Sequence, residues 1–154
     1  MGASSLTAEE LKELTTILEN HLKKHFERSN ERAEKRRDED YDEETEEEML
    51  EEDDFDSYIL NRLSDIIHSL LVTYADSYLV YFDVLATHFH ALIQRKHSVS
   101  DRQWALCVFD DVIQFTGAHS HRYSPIFLAP MADSLADSAA EVNLISFEIF
   151  IVFI

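Results

Sequence analysis

A chain of 154 residues with 45 % hydrophobic content is long enough to bury one domain-sized core. Its formal net charge of −18 excludes a nucleic-acid-binding surface, because phosphate affinity depends on Lys and Arg contacts. It also excludes docking on an anionic membrane and favours basic proteins or peptides as partners.

Two Gly and two Pro leave too few turn residues for an all-β chain. Cys107 is the only cysteine, so no internal disulfide forms, which fits a reducing compartment. The N-terminal "MGASSLTAEELKEL" has neither the basic nor the apolar region of a secretory signal. It matches an N-myristoylation signal only through Gly2 and a later Ser.

The first predicted element, residues 7–37, opens with Thr7 and Glu10 in capping-box spacing. Leu11, Leu14, Leu18, Leu22 and Phe26 mark one face at helical period. Beyond Phe26 the apolar stripe stops and charge runs on through Arg37, as expected of a solvated, fraying end.

Residues 38–56 contain no Lys, Arg or His. Asp38, Glu39, Asp40, Asp42, Glu43, Glu44, Glu46, Glu47, Glu48, Glu51, Glu52, Asp53 and Asp54 lie there, with Asp56 closing the run. Neighbouring carboxylates fall within a screening length of about 8 Å and repel one another, so the stretch is expected to be an acidic disordered loop. A calcium cage is not expected, since EF-hand spacing with its central Gly is absent. The thirteen residues from Asp38 to Asp54 are the candidate partner-binding set. They form either a flexible anionic arm that captures Lys/Arg-rich segments quickly and salt-sensitively, or a solvated insertion that merely tolerates length.

Helical period resumes in residues 57–97. Ile59, Leu63, Ile66, Leu70 and Tyr74 form one stripe with Leu60, Ile67 and Leu71 beside it. Tyr78, Phe82, Leu85, Phe89 and Leu92 form the next after a short turn, which predicts an antiparallel pair. Residues 98–137 repeat the pattern. Ser100 and Gln103 have capping-box spacing, Gly117 stands at a helix C′ position, and Ser124–Pro125 suits a helix start that Pro130 should kink. Leu60 aligns with Leu106, Leu63 with Phe109, and Ile66–Ile67 with Val112–Ile113. A helix pair recurring every forty-odd residues is the mark of HEAT or armadillo arrays. Ser138 and Glu141 open a last helix, 138–154, whose apolar run from Val142 is shorter than the about 20 residues needed to span a bilayer. Both ends are expected to cut through a repeat, leaving an apolar terminus that a neighbouring helix would cover.

The stretches "HFERSNERAEKRRDEDYDEETEEEMLEEDDFDSYILNRLSDIIHSLL", "DRQWALCVFDDVIQF" and "YSPIFLAPM" resemble late HEAT repeats of the karyopherin-beta nuclear import receptors, over residues 20–142. The resemblance implies an all-α HEAT-repeat (α-solenoid) fragment that binds basic cargo such as ribosomal proteins and histones. It also implies residence in cytoplasm and nucleus, no enzymatic activity and no cofactor. Ran GTPase and nuclear pore proteins are partners of the full-length receptors, whose main Ran-binding repeats are not in this stretch. "NLISFEIFIVFI" departs from the family pattern, so a truncated product is expected. An acidic chaperone for histones or ribosomal proteins, or a transport-incompetent fragment, are the alternatives.

Other chemistry-bearing residues read as structural. His21 and His25 lie four apart without a third metal ligand; His88 and His90 occupy different helix faces; His119 and His121 fall in a loop. Asp110 and Asp111 have no partner base, so no catalytic residues are assigned, and an aspartate there is expected to bond an adjacent repeat or a loop backbone. Cys107 is expected to be buried and inert. Trp104 is either a packing anchor between repeats or a peptide-binding aromatic. The resemblance places Asp76, Asp83, Asp133 and Asp137 on or beside helices that line a cargo face.

Overall fold

The computed structural model describes residues 5–135 and Val142. Among the described residues there are helices and no strand: α1 (Ala8–Lys35), α2 (Glu43–Tyr74), α3 (Leu79–Ile93), α4 (Val99–Thr116) and α5 (Ser124–Ser134), with 3₁₀ segments at Ala75–Tyr78 and Gly117–Tyr123. This is the all-α architecture of a HEAT-repeat fragment. The chain divides into two units between Leu63 and Ser64, inside α2. The expected terminal helix over 138–154 lies outside the described residues, Val142 excepted.

In the first unit, the Thr7 capping box forms as its spacing predicts. The Thr7 hydroxyl accepts from the Glu10 amide at 3.2 Å, and the Glu10 carboxylate accepts from the Thr7 amide at 2.7 Å. Two of the orphan amides at the helix start are thereby satisfied. The buried stripe of α1 is Leu11, Thr15, Leu18, Leu22, His25 and Arg32. Thr15 sits there without an unsatisfied hydroxyl because it donates to the Leu11 carbonyl at 2.8 Å. The stripe therefore does not stop at Phe26, which is half-buried. It continues as polar side chains, which hydropathy alone cannot register.

The acidic block is not a disordered loop. Only residues 36–42 connect the helices, and α2 is helical from Glu43 onward. Asp42 caps it, accepting from the Thr45 amide at 2.8 Å and the Thr45 hydroxyl at 2.7 Å. Glu43, Glu44 and Glu46 occupy the first turn, where the helix dipole favours negative charge. Met49, Asp56, Leu60 and Leu63 are buried at helical spacing, so the acidic stretch and the apolar stretch share one buried face.

In the second unit Ile67, Leu70 and Leu71 are buried. Ile66, expected on the stripe, is 37 % exposed because it falls at its edge. Ala75, at φ 47°, turns the chain into the first 3₁₀ segment. The predicted face of α3 is buried throughout: Tyr78, just before it, then Phe82, Leu85, Phe89 and Leu92.

The start of α4 lies earlier than Ser100 suggested. Ser98 is the cap, its hydroxyl accepting from the Asp101 amide at 3.0 Å. Gly117 ends α4 at φ 52°, a backbone region that a residue without Cβ enters freely. Helix α5 has Pro125 in its first turn and runs through Pro130.

Aromatic rings tie these helices together. Phe89 lies 5.0 Å from Trp104 and 6.3 Å from Phe109, and Phe109 lies 5.1 Å from Phe127. Trp104 is thus buried as a packing anchor. Tyr123 stands edge-on to Phe82 and donates to Asp83 at 2.8 Å; burial first, then that carboxylate, raises its phenol pKa. Phe89→Ala should lower the free energy of unfolding, measured in urea, by about 3–5 kcal/mol. Val80→Ala, at a position 64 % exposed on the same helix, should change it by no more than about 0.5 kcal/mol. Equal losses would contradict this account of the core.

Candidate partner-binding face

Arg28, Arg32 and Arg36 recur every fourth residue near the end of α1, which places them on one helix face. Glu46, Asp53 and Asp56 project from the facing side of α2. The Arg28 Nε donates to Asp56 Oδ1 at 2.7 Å, and Arg32 Nη2 donates to Asp56 Oδ2 at 2.7 Å. Arg32 Nε reaches Asp53 Oδ1 at 2.8 Å, and its Nη1 lies 3.7 Å from Glu52. Arg36 forks onto Glu46 at 3.1 and 3.2 Å and onto Asp53 at 3.2 Å. Tyr41 donates to Glu46 from the connection, and His25 Nδ1 stands 3.7 Å from Asp56 Oδ2.

These contacts explain why the acidic stretch folds. Unopposed carboxylates repel, but a planar guanidinium satisfies two carboxylate oxygens at once and tolerates burial better than an ammonium. Arg32 and Asp56 are each only 2 % exposed, so each is held where an unpaired charge would be strongly unfavourable. Burial pushes the Asp56 pKa upward, but hydrogen bonds and charge from Arg28 and Arg32 outweigh it, leaving the pKa below the ordinary aspartate value. The Glu46 carboxyl is also lowered, first by Arg36 and then by Tyr41.

The candidate set therefore separates into parts with different roles. Glu46, Glu52 and Asp53 face the arginines, and Asp42 is spent on the helix cap. Asp38, Glu39 and Asp40 are exposed on the connection, while Glu43, Glu44, Glu47, Glu48, Glu51 and Asp54 are exposed along α2. Among the described residues these last six have no cationic partner. Leu50 and Phe55 lie among them, 52 % and 61 % exposed. Arg28, Glu48, Glu51, Glu52, Phe55 and Asp56 line a groove of about 430 Å³. Repulsion between sequence neighbours does not reveal this arrangement. Its signal in the sequence is the arginine ladder of "ERSNERAEKRR".

Elsewhere, Cys107 corrects the expectation of burial: it is exposed, because it shares the solvent side of α4 with Gln114, one heptad on. Partial desolvation, then Asp110 and Asp111, raises its thiol pKa, which disfavours the reactive thiolate. Asp111 Oδ2 lies 3.0 Å from His68 Nδ1 on the preceding long helix, a structural bond of the kind expected. Asp83 is engaged by Arg122 and Tyr123, and Asp76 lies 3.7 Å from His119. Asp133 serves through its carbonyl, which accepts from Arg95 at 2.7 Å; Asp137 lies outside the described residues. Among the described residues no three His, Cys, Asp or Glu side chains gather as a metal site, and no helix is long and apolar enough to cross a membrane.

A family model described as Importin repeat 6 matches residues 1–95, taking in α1, the acidic stretch and all of α2 and α3. The chain belongs to the importin repeat 6 family. The matched helices are those of a karyopherin-beta-like transport receptor, a class that carries cargo between cytoplasm and nucleus and is not a family of enzymes.

Within this importin-repeat chain the arginine ladder is open to a direct test. Arg32→Met leaves Asp56 with one guanidinium fewer and should lower stability to urea by roughly 3 kcal/mol. The Asp56 contribution is full above the ordinary carboxylate pKa and lost as pH falls through its lowered folded-state value. The stability difference between the native chain and Asp56→Asn should accordingly shrink on acidification; a difference independent of pH would contradict the pairing.

Proposed function

We propose that this importin-repeat chain binds basic cargo through the outward face of α2, as part of an import receptor of the importin five (importin beta-3) kind. Ribosomal proteins and histones are the cargo class that this likeness suggests, with Ran GTPase and nuclear pore proteins as partners of the full-length receptor. One observation carries the reading. Carboxylates facing α1 are neutralised by Arg28, Arg32 and Arg36, whereas Glu43, Glu44, Glu47, Glu48, Glu51 and Asp54 are left exposed along one rigid helix. A helical scaffold holds these charges at fixed spacing, so a basic segment meets a preorganised array instead of ordering a mobile strap as it binds.

The array attracts Lys/Arg-rich segments at long range and loses that attraction as salt rises. Changing Glu43, Glu44, Glu47, Glu48 and Glu51 together to Gln should weaken binding of a basic peptide by at least about tenfold and flatten its salt dependence. Isothermal titration at several salt concentrations measures both, with circular dichroism confirming that α2 persists. An unchanged affinity would remove this face from cargo recognition. Binding to histones that Ran-GTP leaves undisturbed in the full-length receptor would favour an acidic chaperone instead.

A further inference from the structure

The groove beside Phe55 has a chemistry that charge attraction alone does not use. Glu48, Glu51 and Phe55 follow one another at helical spacing on α2, with Glu52 and Asp56 on the same helix and Arg28 reaching in from α1. Arg28 is already held by Asp56, so its charge does not repel an incoming cation as a free guanidinium would. Four carboxylates line the groove, of which Asp56 is paired with Arg28 and Arg32 and Glu52 lies 3.7 Å from Arg32. Glu48 and Glu51 have no cationic partner among the described residues, and the Phe55 ring, 61 % exposed, forms an aromatic wall next to them.

From this arrangement we infer that the groove is an arginine-selective subsite for a basic segment, a specificity that rests on the cargo-binding reading. An aromatic face beside fixed carboxylates distinguishes the two basic side chains. A guanidinium is planar and weakly hydrated, stacks on a ring, and presents a fork of N–H donors to carboxylate oxygens. An ammonium is a compact, strongly hydrated point charge that gains less from the ring. Phe55 supplies the stacking surface, and Glu48 and Glu51 accept from the guanidinium edge. A second copy of this chain is disfavoured as occupant by the net charge of −18 that each copy carries.

The test compares two peptides identical except that one carries Arg wherever the other carries Lys, titrated into the full chain at about 0.15 M salt. The Arg peptide should bind about three- to tenfold more tightly. Phe55→Ala should bring the affinity for the Arg peptide down to that for the Lys peptide, and Phe55→Tyr should restore the preference. Phe55 is exposed, so its loss leaves the fold intact, which circular dichroism verifies. Equal binding of the two peptides by the native chain, or a preference that survives Phe55→Ala, overturns the subsite while leaving charge-driven binding in place. Failure of both peptides to bind overturns the cargo reading itself.

Discussion

A buried guanidinium–carboxylate contact governs the first unit. Asp56 cannot remain charged at 2 % exposure without Arg28 and Arg32, and Arg32 cannot remain buried without Asp56 and Asp53. The pairing fixes which face of α2 turns toward α1, and the rest of the acidic stretch follows from helical period. Glu46 and Asp53 fall on the arginine side. Glu43, Glu47, Glu51 and Asp54 fall on the other. A charge-rich helix acquires direction in this way: one face is neutralised internally and the opposite one stays exposed.

The proposed cargo-binding role would gain from that division. A coil with the same composition would attract the same cations, but it would lose conformational entropy with every contact it ordered. Along a helix the carboxylates are spaced in advance, and large apolar groups such as Leu50 and Phe55 stand among them at defined positions. In the proposed binding mode charge would supply range and rate, while the Phe55 ring and the fixed geometry would supply discrimination. Packing of α3, α4 and α5 through Phe89, Trp104, Phe109 and Phe127 builds the second unit from ordinary helix-to-helix contacts, with ion pairs such as Arg122–Asp83 at its surface.

Much of this was legible in the sequence, and the parts that were not share a cause. Period alone located α1, the C-terminal half of α2, and the buried side of α3. Local capping chemistry located Thr7 and Gly117, although Ser98 rather than Ser100 proved to be the cap of α4, since both offer a hydroxyl three residues before a polar side chain. The acidic stretch was misread because its stabilising partners lie on another helix. Repulsion is visible between sequence neighbours, whereas the arginines that relieve it become neighbours only after the chain turns at residues 36–42. Arg32 and His25 were hidden for the same reason, being buried positions with no hydropathy signal. Cys107 was misplaced because its apolar neighbours Leu106 and Val108 obscured the solvent side that it shares with Gln114.

Backbone amide exchange across Glu47–Asp56 tests the central claim most directly. If the arginine ladder holds this stretch as helix, these amides exchange slowly in the native chain, and exchange quickens when Arg28, Arg32 and Arg36 are all replaced by Gln. Amides that already exchange at random-coil rates in the native chain would show the carboxylates hanging free, and the two-faced helix would have to be abandoned.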